Sequence, residues 1–181
     1  AERAAQAYGA REWPASEASV AGVDPATVAA TGFRASALRV DARHGQAQLS
    51  FALEAEGEAA AVAARVTIGV HKDGKAARAA LLARLATTQV QLGREEALGS
   101  VAFGGRRDGR LDYALGAIGN VSYVVRGVGA TDVEVLAQAV ARAISRAPAL
   151  KGAALAPRIL ACEAESVVVG QPAQLRLDFD P

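Results

Sequence analysis

The sequence predicts an α+β domain, in which a mainly antiparallel sheet carries two main helices and a C-terminal β-hairpin extends the chain. Several segments alternate apolar and polar residues with the period of two that half-buried strands show. Short turns join the first three of these segments, as in an antiparallel meander, and two other segments have the apolar arc of an amphipathic helix. With 181 residues, 51% of them hydrophobic, the chain can bury a core of ordinary size. We predict an N-terminal helical and loop segment over 1–32, a core domain over 33–150 and a β extension over 151–181.

The N-terminal segment is predicted to be a short helix over 1–10 and a loop that one aromatic side chain holds in place. Trp13 is the single tryptophan of the chain, and we expect it to anchor the loop to the body of the domain. The alternative is a binding loop built around Trp13. Asp24 followed by Pro25 predicts a helix start, and Gly32 is placed to end that helix.

Three strands are predicted to follow, over 33–41, 46–55 and 62–70. Turns at 43–45 and 56–58 join them, because each turn combines glycine with charged residues. The middle strand alternates most clearly, since its leucines and phenylalanine share one face and its glutamines and serine share the other. We therefore expect one face of the meander to be buried and the other to meet water.

The third strand leads directly into the first main helix. Asp73 is placed to cap this helix, and the leucines between 81 and 85 form its apolar arc. Arg78 falls on the same arc, so its side chain must snorkel to water, pair with a carboxylate or face a ligand. His71, at the junction of strand and helix, is either a partly exposed turn residue or part of a cleft.

The second half of the core is predicted to contain a short strand, a hairpin and a closing helix. The strand covers 100–103, and the glycine-rich stretch 104–109 is predicted to be a turn. Alternating segments on either side of Gly119-Asn120 predict the hairpin. Thr131 and Glu134 have the spacing of a capping box at the start of the closing helix, which Pro148 ends. In the extension, strands over 166–169 and 173–179 are predicted to form a hairpin.

Two charged clusters are candidate sites. Arg106, Arg107 and Arg110 are predicted to form a solvated hairpin tip, and the alternative is a contact with an anionic surface. Glu95 and Glu96 are adjacent in sequence and should point apart, so we interpret them as solvated rather than as an acid/base pair.

The sequence lacks the common signatures of catalysis and of cofactor binding. Cys162 is the only cysteine, which excludes an internal disulfide, and His44 and His71 have no second ligand at metal-binding spacing. Gly74-Lys75 lacks the upstream glycine of a phosphate loop, and no nucleophile motif is present. We therefore predict no cofactor and no metal. Asn120-Val121-Ser122 matches the glycosylation sequon, but we interpret the match as chance because it falls in a tight turn.

Charge and hydropathy limit the kinds of partner. Twenty Lys and Arg against nineteen Asp and Glu give a net charge of +1, which argues against nucleic acid and acidic membranes as partners. No apolar run approaches the ~18 residues that a membrane helix needs. The chain begins at Ala1 without methionine, as expected for a mature product whose signal peptide was removed or for an excerpt of a longer protein.

The segment 62–147 resembles bacterial extracytoplasmic domains of the PsbP-like α/β sandwich class. The resemblance is carried by VTIGVHKDGKAARAALLARL, LGSVAFGG, GNVSYVVRG and VEVLAQAVARAI. It implies a secreted or cell-envelope location and a binding or sensing role without catalysis. The tail SVVVGQPAQLRLDFDP is similar to the opening strands of a bacterial immunoglobulin-like domain.

These observations lead us to expect a non-enzymatic, extracytoplasmic interaction module with a protein partner or a second copy as its ligand. The first alternative is a self-assembling structural subunit whose C-terminal strands add to a neighbour's sheet. A less favoured alternative is an enzyme with a groove at His71. The candidate binding residues are His71, Arg78, Trp13, Arg106, Arg107 and Arg110.

Overall fold

A computed structural model describes residues 2–14, 19–28, 32–43, 46–56 and 61–149, together with the backbone of 159–161 and 178–179. Its main feature is one antiparallel sheet with the strand order β1-β2-β3-β7-β6-β5-β4. The predicted antiparallel sheet and its α+β class are therefore confirmed. The strands are β1 Phe33–Arg43, β2 Gln46–Ala55, β3 Val62–Val70, β4 Gly93–Arg94, β5 Val101–Arg107, β6 Arg110–Ile118 and β7 Val121–Gly127.

The described residues form three α-helices beside the sheet: α1 Glu2–Ala7, α2 Gly74–Thr87 and α3 Glu134–Arg146. The helix α2 begins where the sequence predicts, because Asp73 Oδ1 accepts a hydrogen bond from the Ala76 amide at 2.7 Å. The helix predicted after Asp24 is a single 3-10 turn, Pro25–Val28, and its predicted continuation over 29–31 lies outside the described residues.

The two main helices lie on opposite faces of the sheet, because side chains alternate between faces along each strand. The core beneath α3 contains Ala114, whereas its neighbour Leu115 belongs to the core beneath α2. The α3 core is the larger one and continues along β2 and β3 through Leu49, Phe51, Leu53, Val66 and Ile68. The α2 core is smaller and contains Trp13, Leu81, Leu85, Val101, Phe103, Leu115 and Ala117.

The second half of the core departs from the sequence prediction at two places. The strand β5 extends through Gly104, Gly105 and both following arginines, so the predicted six-residue turn is only Asp108-Gly109. Both turn residues have positive φ, 51° and 79°, as a two-residue hairpin turn requires. The predicted capping box is also wrong, because the amide of Glu134 donates to Asp132 Oδ1 at 3.0 Å.

The strand β1 forms one edge of the sheet, and β4 forms the other. A register shift between Ser36 and Arg39 interrupts the pairing of β1 with β2. Ala37 lies inside this bulge with φ at 51°, a left-handed conformation that is uncommon for a residue with a side chain.

In the extension, the backbone of Ile159–Ala161 (β8) pairs antiparallel with that of Asp178–Phe179 (β9). The strand predicted over 166–169 and its turn lie outside the described residues, as do Cys162 and His44. Among the helices of the described residues, none is long and apolar enough to cross a membrane.

Candidate functional site

The predicted basic tip is not a free cationic surface. Arg106 forms a bidentate pair with Glu95, with nitrogen to oxygen distances of 2.9 and 3.0 Å, and it contacts Glu134 at 3.2 Å. The hydrogen bonds to Glu95 are the main cause of a raised pKa of Arg106. Arg107 contacts Asp112 at 3.5 Å, and Arg110 is exposed. Two of the three arginines are therefore paired, and the interpretation of Glu95 as merely solvated is wrong.

Trp13 and Arg78 both hold the N-terminal segment in place. The Trp13 side chain is 6% exposed and lies in the α2 core, where its ring is tilted against Phe103. Its indole N–H donates to the Tyr8 carbonyl at 2.9 Å. Arg78 Nη1 donates to the Pro14 carbonyl at 2.8 Å. Trp13 is therefore the expected anchor of the N-terminal segment. The guanidinium group of Arg78, the charge on the leucine face, donates to a backbone carbonyl of the same segment.

His71 is buried at the end of β3 in a network of polar contacts. Its Nε2 lies 2.8 Å from Ser122 Oγ, and its backbone N–H donates to the Asn120 carbonyl at 2.8 Å. Burial is the main cause of a lowered pKa of His71, and the charge of Asp73 opposes it. The neutral imidazole is therefore favoured, and His71 is not a partly exposed turn residue.

Asn120 is the polar centre of this region and is only 2% exposed. Its Oδ1 accepts from the Val20 amide at 2.7 Å, and its Nδ2 donates to the carbonyls of Val20 and His71 at 2.9 Å each. From the sequence alone, Asn120 is predicted only to be a turn residue that matches the glycosylation sequon. Its burial supports the interpretation that the match is chance.

Within the described residues, no helix packs on one half of the α2 face of the sheet. Helix α2 packs over β6 and β7, while the outward residues of β2 on this face include the exposed Gln46 and Gln48. The exposed glutamines confirm the prediction that one face of the meander is polar and meets water.

Among the described residues, four arginines that form no ion pair lie on or beside this half, and we call these four the arginine face. Arg65 and Arg126 are register partners across β3 and β7, and Arg39 lies on β1 opposite Ser50. Arg84, on α2, borders the same surface together with Thr67. All four are exposed, and none forms a salt bridge within the described part of the chain. At ~4.8 Å between strands, the three strand positions Arg39, Arg65 and Arg126 span roughly 15 Å across the sheet.

The carboxylates on this face do not neutralise the four arginines. Glu54 contacts Arg34 at 3.1 Å and accepts from the Ser36 hydroxyl, which is the main cause of its lowered pKa. Asp41 also makes an interaction of its own. Like charges directly opposite each other destabilise a sheet. The pairing of Arg65 with Arg126 is thus unfavourable unless an anion is bound.

A cleft of about 80 Å³ opens between α2 and the strands β2, β3 and β7, and Arg84 is the member of the arginine face that lines it. Its polar lining comes from two glutamines, Thr67, Arg84 and Ser122, and Gly69 belongs to the lining as well. A Cβ atom on Gly69 would lie 3.0 Å from both His71 Nε2 and Ser122 Oγ. The cleft therefore depends on the missing side chain of Gly69.

Within the described residues, the Ser122–His71 pair lacks the surroundings of a catalytic nucleophile. Ser122 lies within β7, which pairs with β3 on one side and with β6 on the other. Its backbone is engaged in the sheet and provides no oxyanion hole of the kind that acyl transfer needs. Among the described residues, no group of three or more His, Cys, Asp or Glu side chains could hold a metal ion.

A larger groove of about 550 Å³ lies between α3 and the segment 22–27. Arg142, Arg146 and Val135 belong to its lining. The described ranges end at Val28 and at Ala149, close in sequence to this lining. We assign it no function.

No motif in the sequence predicts the arginine face. Arg65 and Arg126 are recognisable as outward residues of their strands, but the order and register of the strands are needed to bring them together.

Comparisons of the chain with protein-family models, with curated proteins and with solved structures find no match.

Proposed function

We propose that this protein is a non-enzymatic interaction module whose arginine face binds an acidic segment of a partner protein. The observation that carries the proposal is the unneutralised pairing of Arg65 with Arg126 on an exposed sheet face. A bound carboxylate would relieve the repulsion between the two guanidinium groups and form charge-assisted hydrogen bonds with them. The resemblance to PsbP-like domains supports a secreted or cell-envelope setting for this interaction.

The surroundings of the face favour protein over nucleic acid as the partner. Proteins that bind single strands stack bases on aromatic side chains beside a basic groove. The aromatic ring next to Arg126 in the sheet register is Tyr113, which packs in the core beneath α2. The net charge of +1 also provides no general attraction to a polyanion.

The proposal is tested by titrating the full chain with poly-L-glutamate at low and at moderate salt. We expect Arg65→Gln/Arg126→Gln to weaken binding about tenfold, because two solvent-exposed ion contacts of roughly 0.7 kcal/mol each are lost. The matched control is Arg142→Gln/Arg146→Gln, which removes two exposed arginines from α3 and should leave binding unchanged. The same weakening in both variants would refute a specific face, as would failure of the wild type to bind.

A second titration uses a single-stranded RNA in place of poly-L-glutamate. Tighter binding of RNA that depends on Arg65 and Arg126 would overturn the assignment to a protein partner. The unbound Arg65→Gln/Arg126→Gln variant should be slightly more stable than the wild type, by about 0.2–1 kcal/mol, because the like-charge pair is gone.

Within the described residues, no contact favours the alternative function, a self-assembling subunit. Light scattering of the chain with and without residues 166–181 separates the two functions. A monomer in both cases would end the assembly hypothesis.

A further inference from the structure

The cleft beside the arginine face has a size suited to one oxyanion group. Its volume of about 80 Å³ compares with ~30 Å³ for one water molecule in the liquid. Arg84 contributes a positive charge to the lining, and Thr67 and Ser122 contribute hydroxyl groups. Neither Arg84 nor Thr67 forms a side-chain hydrogen bond or ion pair with any other part of the described chain. These donors are therefore available to a ligand.

We propose that this cleft receives the carboxylate of one acidic side chain of the partner, and this inference rests on the proposed function. Arg84 supplies the opposite charge, and the hydroxyls of Ser122 and Thr67 donate hydrogen bonds to the carboxylate oxygens. Gly69 leaves the space for these oxygens, since a Cβ atom there would come within 3.0 Å of Ser122 Oγ. The arginine face provides general attraction, and the cleft provides selectivity for the position of one carboxylate.

His71 is a positioning residue for this site. When His71 Nε2 carries the proton, it donates to Ser122 Oγ at 2.8 Å, and the serine hydroxyl is free to donate to the ligand. In the other tautomer, the serine hydroxyl donates to the histidine instead. Asn120 holds the backbone of His71 on both sides through its own carbonyl and its side-chain amide. Carboxylate binding should therefore select the Nε2–H tautomer.

The test is an NMR titration of the full chain with sodium acetate, followed on the amides of the cleft and on the ring nitrogens of His71. We expect shifts at Gly69 and Ser122 together with a change toward the Nε2–H tautomer. Gly69→Ala should abolish these shifts because its methyl group would occupy the space beside Ser122 Oγ and His71 Nε2, where the carboxylate oxygens are proposed to bind. Gly93→Ala is the matched control, since a Cβ there meets nothing within 4 Å.

The outcomes distinguish this site from the proposed function. Shifts at the cleft that Gly69→Ala removes support the inference even if poly-L-glutamate fails to bind. Binding of poly-L-glutamate with no acetate shift at the cleft leaves the arginine face in place and overturns the inference. We expect Ser122→Ala to weaken poly-L-glutamate binding about threefold, with a salt dependence like that of the wild type. Displacement of acetate by inorganic phosphate at a much lower concentration would assign the cleft to phosphate and refute the carboxylate.

Discussion

Asn120 should be among the most sensitive positions of the fold. Replacing it with alanine removes three buried hydrogen bonds, two to Val20 and one to His71. At roughly 1 kcal/mol for each bond, Asn120→Ala should lower the free energy of unfolding by about 3 kcal/mol. The Val20 amide and two carbonyl groups would also lose a partner in a buried region. For a chain of this length, a loss of 3 kcal/mol corresponds to a fall in Tm of about 6–12 °C.

Urea denaturation followed by circular dichroism measures this change directly. Asn120→Asp is an informative companion, because it keeps an acceptor for Val20 but turns its other oxygen toward two carbonyls. It should destabilise the protein at least as much as alanine. Ser145→Ala, at the exposed end of α3, serves as the control and should change stability by less than about 0.5 kcal/mol. A loss below about 1 kcal/mol for Asn120→Ala would refute the conclusion that the Asn120 side chain holds Val20 of the N-terminal segment against the sheet.

Two further predictions concern the N-terminal anchor and the buried histidine. Trp13→Ala should destabilise the protein by about 3–5 kcal/mol and expose residues 2–14 to proteolysis, because the aromatic side chain is buried. Limited proteolysis and urea denaturation measure these two effects. A variant as resistant to protease as the wild type would contradict the prediction. The lowered pKa of His71 means that the unfolded chain binds a proton more readily than the folded chain does. The stability that His71 contributes should be complete above pH 6.5 and decline as the pH falls through its folded-state pKa. His71→Gln should show a smaller decline between pH 7.5 and 5 than the wild type in urea denaturation, and equal declines would contradict the assignment.

Local patterns of the sequence predicted the individual elements well. The strand predicted over 46–55 is β2 with the same bounds, because one face of it is buried and its alternation is strict. The Asp73 cap also depends only on residues close in sequence. Such features are readable without a fold because their causes lie within one turn or one strand.

The errors arose where distant residues decide the structure. The two glycines after Phe103 suggested a turn, but both are buried in β5, where Glu95 and Leu111 crowd Gly104. Arg106 looked like a solvated tip because its partners, Glu95 and Glu134, come from other parts of the chain. The arginine face was missed for the same reason, since strand order and register create it.

The bulge in β1 changes what this edge of the sheet can offer to another chain. An incoming strand could follow the regular backbone only over 33–36 or over 39–43, because the register shifts between them. Each stretch is too short to hold a strand firmly, and a flat partner could not bridge both. Among the described residues, β1 thereby presents an eleven-residue edge with a built-in resistance to sheet-to-sheet aggregation. Straightening the bulge would remove that protection.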